Sequence, residues 1–206
     1  MHTKLLYVLV FFGTLLISSC STIKNKRAKG INFVQDTLQV GYTSWWPDSG
    51  PFIGNCGDEI ALAFTGTIVN LEKPTALDSS LYTPQKGSIA IKNVLKIKEL
   101  GVNTYANQKF FTTDCFHNLD VKVGDKVIVY CYDYEGDYSI PGRKSILKID
   151  AFNSPIVTST KTYLENNQDP FSIEKDMALW ATYNLTENLE QIIVCAKEMK
   201  ALKKEK

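Results

Sequence analysis

Apolar and polar residues alternate over much of the chain between positions 38 and 152, which predicts a mainly β structure. Leu38, Val40 and Tyr42 alternate with polar or small residues and indicate a short first strand. Five further segments keep the period of two and are separated by turn residues. They cover residues 60–68, 89–97, 110–113, 127–134 and 145–152. Gly66 interrupts the first of these five, so we expect that strand to bend there.

The period becomes helical after Asp169-Pro170, a pair typical of a helix start because the acid can cap and proline fits the first turn. Apolar residues then recur at spacings of three and four, which predicts an amphipathic C-terminal helix. A break near Tyr183-Asn184 can split this helix in two. The predicted buried stripe consists of Leu185, Leu189, Ile192, Ala196 and Met199.

Five strands followed by a helix, without alternating strands and helices, predict an α+β fold or a helix-capped barrel. We expect an N-terminal extension at 31–54, a β-barrel at 55–168, and a C-terminal helix with a basic tail at 169–206. The sequence shows no internal repeat.

The N-terminus has the pattern of an export signal. Lys4 precedes an almost wholly apolar stretch at 5–17, which is too short to span a bilayer as a stable helix. The sequence Ile17-Ser18-Ser19-Cys20 that follows resembles the lipobox of bacterial lipoproteins. The resemblance implies a signal peptide at 1–19 and a Cys20 that carries diacylglycerol and a further acyl chain such as palmitate. The alternative is an ordinary secretory signal with an incidental cysteine.

A lipid anchor on Cys20 makes the membrane a partner of this chain, because several acyl chains together anchor firmly. Residues 20–30 then form a lipidated tether. Ser21, where an aspartate would indicate the inner membrane, resembles outer-membrane sorting, with the domain facing the periplasm or the cell surface.

The charge balance argues against nucleic acid as a partner. The chain has 23 basic and 22 acidic residues, and cleavage after residue 19 would remove one lysine and make the counts equal. Nucleic-acid binding is driven by neutralising phosphates, which needs a basic excess.

Four cysteines follow Cys20, and an even number in an exported chain indicates disulfide bonds, with three connectivities open. No two of them form a CxxC motif, so we expect neither a zinc ribbon nor a redox site. No cofactor or metal is expected. The four are Cys56, Cys115, Cys131 and Cys195.

Three stretches of the chain carry a family resemblance. They are Cys56-Gly57-Asp58-Glu59 with the strand at 60–69, the strand at 91–100, and Cys115 with the glycine turn and strand at 123–130. Together they resemble netrin-like domains, the group that includes the tissue inhibitors of metalloproteinases and bacterial relatives. The resemblance covers roughly residues 55–200 and implies a five-stranded OB-type Greek-key barrel capped by a C-terminal helix. The second opening cysteine of the family is not apparent, and the insertion at 74–87 is long.

By the same resemblance, Cys56 is bonded to Cys195, and Cys115 and Cys131 remain as a second pair. Such a long-range bond could contribute on the order of 4 kcal/mol. For Cys131 the alternative is a small buried thiol, since it shares a strand face with Val127 and Val129.

Candidate catalytic chemistry is limited to Cys115 and His117, the one histidine after Cys20. A nucleophile pair needs hydrogen-bond geometry and an orienting partner, and His117 also fits a turn between two strands. No nucleophile elbow, phosphate-binding loop or zinc-binding helix occurs. We therefore expect no enzyme, and keep a Cys115–His117 enzyme as an alternative.

The predicted loop between the fourth and fifth barrel strands carries Tyr132, Tyr134 and Tyr138. A tyrosine offers a wide face and a polar tip, which suits contact with a protein or a sugar. Trp45 and Trp46 are further contact candidates, and their alternative role is to fill the core.

The acids of the same loop, Asp133, Glu135 and Asp137, alternate around a glycine in a pattern loosely like a calcium loop. A true EF-hand loop needs a bidentate glutamate at its twelfth position, which is missing here. Solvated acids in a hairpin are the alternative, and the sequence leaves the choice open.

The function favoured by these features is a non-enzymatic, membrane-anchored interaction module that binds a protein or a glycan in the cell envelope. Metalloproteinase inhibition is not expected. In the family that the sequence resembles, a free N-terminal cysteine amine chelates the metal of the proteinase, whereas Cys20 would be acylated. The second hypothesis is a structural component of an envelope assembly that docks through the C-terminal helix. An apolar stripe left uncovered on that helix would favour this second hypothesis.

Overall fold

The computed structural model describes residues 36–42, 50–53, 56, 59–75, 83–101 and 103–203. They all belong to one of the two units into which the chain divides, Phe33–Lys206. The predicted export signal, Cys20, Trp45 and Trp46 lie outside the described residues. Within the described residues, no helix is long and apolar enough to cross a bilayer.

The described part of the chain is mainly β, with one curled mixed sheet and helices toward the C-terminus. Every segment in which apolar and polar residues alternate contributes a strand, and the predicted bounds of the 110–113 strand are confirmed. The 137–140 strand was not predicted, because its four residues follow an acidic glycine turn and read as loop. The strands are β1 (Thr37–Gln39), β2 (Gly41–Tyr42), β3 (Ile60–Leu71), β4 (Gly87–Ile97), β5 (Phe110–Thr113), β6 (Lys126–Tyr134), β7 (Asp137–Ile140) and β8 (Ile146–Ile149).

The helical region begins at Pro155, inside the segment predicted as barrel. This first helix contains three threonines, which have modest helix propensity, and its buried Ile156, Val157 and Tyr163 pack in the protein interior. The elements are a 3-10 turn (Arg143–Ser145), α1 (Pro155–Glu165), a 3-10 helix (Pro170–Asp176), α2 (Met177–Ala181) and α3 (Thr186–Leu202).

The predicted helix start at Asp169 and the predicted break are both confirmed. The Asp169 carboxylate accepts a hydrogen bond from the backbone N–H of Phe171 at 3.1 Å, which caps the 3-10 helix. Residues 182–185 separate α2 from α3, and Asn184 there has a left-handed φ of 56°. The chain can therefore turn between the two helices.

The buried stripe of α3 is shorter than predicted. Leu185, Leu189 and Ile192 are buried, but Met199 is 47% exposed. The prediction for Met199 is wrong because residues 197–202 are all exposed, so the last turns of α3 run beyond the apolar interior.

The strand order is β1-β5-β4-β3-β6-β7-β2, and β8 also pairs with β6. The long strand β3 is antiparallel to both β4 and β6. Its register against β4 shifts between Thr65 and Gly66, so the pairing of the two strands is irregular at the glycine where we expected a bend. A Cβ at Gly66 would lie 2.5 Å from the carbonyl oxygen of Ala90, so the two backbones approach too closely there for any other residue.

Strands β1 and β2 lie at opposite ends of the strand order, although Val40 alone separates them in sequence. β1 runs parallel to β5, and β2 runs parallel to β7. The N–H of Val40 continues the β1–β5 pairing by donating to the carbonyl of Thr112 at 2.9 Å. One extended segment, residues 36–42, therefore bonds to both end strands, and we call it the closing segment.

Two apolar clusters lie on the two faces of the sheet. The inner cluster is built mainly from strand residues and includes Leu38, Phe64 and Phe111, all fully buried. The outer cluster packs strand residues such as Ile128 against the helices, with Trp180 among its buried members. Burial on both faces explains why β3 and β6 are apolar along most of their lengths.

Candidate functional site

The first predicted disulfide is confirmed. Cys56 is bonded to Cys195, with 5.1 Å between their Cα atoms and 139 positions between them in sequence. The bond links the chain just before β3 to α3. It therefore fixes the C-terminal helix to the sheet.

The second predicted disulfide is not formed. Cys115 and Cys131 are both free and buried, and both belong to the inner cluster together with Val127 and Val129. The two thiols fill apolar space in the interior, which confirms the alternative interpretation of Cys131 as a small buried thiol.

The environment of Cys115 does not suit a nucleophile. Its side chain is buried, and this burial, with a smaller effect from the Asp114 carboxylate, raises the pKa of the thiol far above its ordinary value. A nucleophilic cysteine needs its thiolate form, which burial disfavours. Within the described residues, His117 makes no hydrogen bond or ion pair with a thiol or a carboxylate.

The predicted tyrosine loop is a tight β-hairpin. β6 and β7 are joined by Glu135 and Gly136, whose φ values of 55° and 82° are both left-handed, as in a type I′ turn. Tyr132 and Tyr138 are buried, at 4% and 1% exposure, whereas Tyr134 is 38% exposed. The hairpin therefore presents one tyrosine to solvent rather than a wide aromatic face.

Two of the hairpin acids are occupied by local contacts. Asp133 accepts a hydrogen bond from the N–H of Gly136 at 3.0 Å and pairs with Lys98 at 3.3 Å. Asp137 accepts from the N–H of Tyr138 at 2.9 Å. In the part of the chain that the structure describes, no three His, Cys, Asp or Glu side chains are grouped so that they could hold a metal ion.

A charged cluster continues from the hairpin. Lys98 also pairs with Glu59 at 3.0 Å, and Glu59 pairs with Lys96 at the same distance. The hydrogen bonds that Lys98 and Lys96 donate to Glu59 lower the pKa of Glu59, and the bonds that Lys98 donates to Glu59 and Asp133 raise the pKa of Lys98. These partly exposed pairs join the start of β3 to β4 and the hairpin.

A surface that the sequence did not predict lies over β1, β5 and β4. The strand register aligns Gln39 with Thr112 and Ser88, and paired residues of adjacent strands project from the same face. The next row on that face pairs Thr37 with Phe110, and Phe110 with Ala90. We call this surface the polar strand face, and its members are Thr37, Gln39, Ser88, Ala90, Phe110 and Thr112.

The row between these two points inward. Leu38 pairs with Phe111, which pairs with Ile89, and all three are fully buried in the inner cluster. The polar strand face is therefore the outer surface of the same three strands. Neighbouring hydroxyls on it interact directly, since the Oγ of Ser88 lies 3.2 Å from the Oγ1 of Thr112.

A groove of about 530 Å³ borders the polar strand face where β1 leaves β5, and we call it the β1–β5 groove. The exposed Gly41 lies on its wall, and a Cβ added there would meet no atom within 4 Å. Thr113 lines it too, and the nearly buried hydroxyl of Thr113 has no hydrogen-bond partner among the described residues. The lining residues are Gln39, Val40, Gly41, Lys86, Thr112, Thr113 and Asp114.

The outer surface of the sheet is covered unevenly. Ile128, Tyr130 and Leu147 project toward the helices and are buried in the outer cluster. The polar strand face contributes no residue to that cluster. Within the described residues, the helices thus cover β3, β6, β8 and the part of β4 near Leu95, and they leave the polar strand face uncovered.

One signal in the sequence could have found the polar strand face. Gln39 stands between Leu38 and Val40, and Thr112 follows Phe111, so polar residues occupy the alternate positions of two strands whose other positions are apolar. The alternation predicts which residues of each strand face outward. It does not predict the pairing of β1 with β5, which joins residues about 70 positions apart.

The chain matches no protein-family model and no curated protein in sequence.

Proposed function

We propose that the chain is a membrane-anchored, non-enzymatic binding module that contacts a protein or a glycan of the cell envelope. The observation that carries the proposal is the uneven covering of the sheet. The outer cluster and the helices bury one side, and the other side offers hydroxyl and amide groups in register on three strands. A groove with a few polar groups in its lining is a suitable place for a ligand.

The fold that we propose is an OB-type Greek-key barrel in which β3, β4, β5 and β6 are the first four strands and β7 with β8 is the fifth. The pairing of β3 with both β4 and β6, and of β4 with β5, supports this assignment. The closing segment then bridges the third and fifth strands. OB-type barrels bind ligands on the face of their second and third strands, which correspond to β4 and β5, the strands that carry Ser88 and Thr112.

The non-enzymatic part of the proposal is supported by the interior position of Cys115. Its buried thiol with a raised pKa is the opposite of an activated nucleophile. The alternative enzyme built on Cys115 and His117 has no supporting contact in the described residues.

The anchor in this proposal is Cys20, acylated after removal of residues 1–19, and the location is the outer membrane, with the domain on its periplasmic or outer side. The support is the sequence before and after Cys20. Mass spectrometry of the purified chain tests it directly, since an acylated Cys20 adds the mass of its lipid and a Cys20→Ala chain does not.

Cross-linking in intact membranes tests the binding proposal. The wild-type chain is compared with Gln39→Ala/Lys86→Ala, two changes of exposed side chains, and captured proteins and sugars are both identified. We expect a captured partner that the double variant loses. Tyr134→Ala is the matched control on the hairpin. If Tyr134→Ala loses the partner and the double variant keeps it, the ligand contacts the hairpin and the polar strand face is not the site.

A specific observation also favours the second candidate, a structural component of an envelope assembly. Three apolar residues of α3 are strongly exposed, Val194 at 53%, Met199 at 47% and Leu202 at 57%. Exposed apolar side chains on the C-terminal helix are the feature expected of a helix that docks on a partner.

The same cross-linking experiment separates the two candidates. Val194→Lys/Leu202→Lys leaves the outer cluster intact, because neither residue belongs to it. A partner lost in this variant and kept by Gln39→Ala/Lys86→Ala would establish the helix as the docking element.

A further inference from the structure

The β1–β5 groove has a lining whose chemistry can be compared with that of different ligands. It presents an amide from Gln39 and a hydroxyl from Thr112, with Lys86 and Asp114 as a cation and an anion. Its volume of about 530 Å³ lies in the range of roughly 300–1,000 Å³ that holds small ligands.

The charges of the lining argue against an anionic ligand. Lys86 and Asp114 carry opposite charges, so the lining has no net charge, whereas phosphate binding needs a cationic or helix-terminal site. The amide and hydroxyl groups both donate and accept hydrogen bonds. A ligand dense in hydroxyl groups matches such a lining, because each of its hydroxyls also donates and accepts.

The backbone of β1 argues against an extended peptide as the ligand. A peptide added as a strand needs free backbone N–H and C=O groups at a sheet edge. On the side toward β5, the N–H of Val40 is already bonded to Thr112. On the other side, the carbonyl of Gln39 accepts a hydrogen bond of 2.6 Å from the Asn103 amide. The Asn103 amide therefore occupies the acceptor that a strand added beside Gln39 would need.

We infer that the β1–β5 groove binds a neutral oligosaccharide, with one or two sugar rings seated between the closing segment and the end of β5. This inference rests on the proposed function, since it names the ligand class of the binding module. Gln39 and Lys86 hydrogen-bond sugar hydroxyls, and Gly41 keeps the wall of the groove low, because a side chain at that position would project into open space.

The test uses the full acylated chain in a detergent without a sugar head group. Chitobiose, maltose and cellobiose are titrated separately, and binding is measured by calorimetry and by saturation-transfer NMR. We expect at least one of the three to bind. Gly41→Val should weaken that binding at least tenfold by filling the groove, and valine suits an extended strand.

Gly101→Val is the matched control, because a Cβ at Gly101 also meets no atom within 4 Å and the residue lies outside the groove. It should bind within twofold of the wild type. If Gly41→Val has a lowered melting temperature, Gln39→Ala, a change of an exposed side chain, takes its place with the same expected loss.

Two results would overturn the inference. Binding that Gly41→Val and Gln39→Ala leave unchanged would put the sugar elsewhere. If none of the three sugars binds, the oligosaccharide as ligand is refuted. If Gln39→Ala/Lys86→Ala then still loses a cross-linked protein that the wild type captures, the proposed function stands with a protein ligand. If the wild type binds none of the sugars and captures no partner on cross-linking, the proposed function is refuted as well.

Discussion

The substitution Leu38→Ala tests whether the closing segment is an integral part of the fold. Leu38 is fully buried in the inner cluster, although it lies on a strand of only three residues. The change removes three carbon atoms, worth about 0.8 kcal/mol each, and leaves a cavity that adds to the cost. We expect a loss of about 3 kcal/mol in the free energy of unfolding, which lowers the melting temperature of a chain this size by roughly 6–12 °C.

Urea denaturation of the chain without residues 1–20, followed by tryptophan fluorescence, measures this loss. Trp180 is a suitable probe because it is buried in the outer cluster, on the other face of the sheet. Gln39→Ala is the control, since its exposed side chain should change the free energy of unfolding by no more than about 0.5 kcal/mol. A Leu38→Ala loss below about 1 kcal/mol would refute the reasoning, because the segment would then detach locally without opening the core.

Three further predictions concern other parts of the molecule. Cys195→Ser should lower the free energy of unfolding by on the order of 4 kcal/mol, because the lost disulfide spans 139 positions. Urea denaturation with and without reductant measures this loss, and a wild type whose stability does not change with reductant would contradict the prediction. Glu59→Gln should destabilise by less than about 1 kcal/mol at neutral pH. Folding lowers the pKa of Glu59. The stability difference between wild type and variant should therefore be present above the pKa of Glu59 in the unfolded chain and disappear as the pH falls through its pKa in the folded chain. A stability difference that grows on acidification would contradict the ion pairs of Glu59. Cys115 and Cys131 should resist alkylation in the native chain and react after unfolding, as mass spectrometry can show, and rapid native labelling of either would contradict their burial.

The fold was predictable where a local pattern decides the structure. The inward alternation of Leu62 and Phe64 predicts β3 because their side chains need one apolar face, and the Asp169 cap predicts the start of the 3-10 helix for a local reason as well. α1 was missed because tertiary burial of residues such as Ile156, rather than local propensity, holds it in helical form.

The candidate site was less predictable because it depends on long-range pairing. Tyr138 looked like a contact residue in the sequence, yet its hydroxyl donates to the carbonyl of Lys98 at 2.6 Å and its ring is buried. Nothing near Tyr138 in sequence indicates this hydrogen bond to Lys98, which lies 40 positions away. The β1–β5 groove has the same origin, since Gln39 and Lys86 meet only after β1 has paired with β5.

The closing segment links the stability of the core to the shape of the proposed site, because its side chains alternate between the two. Leu38 and Val40 point into the inner cluster, and Gln39 and Gly41 lie on the wall of the β1–β5 groove. Adjacent residues of a strand point to opposite faces, so Gln39 cannot move away from Thr112 without pulling Leu38 out of the core. The apolar burial of two residues thus holds the groove in one shape before any ligand arrives, and a preformed site avoids the cost of ordering its wall on binding.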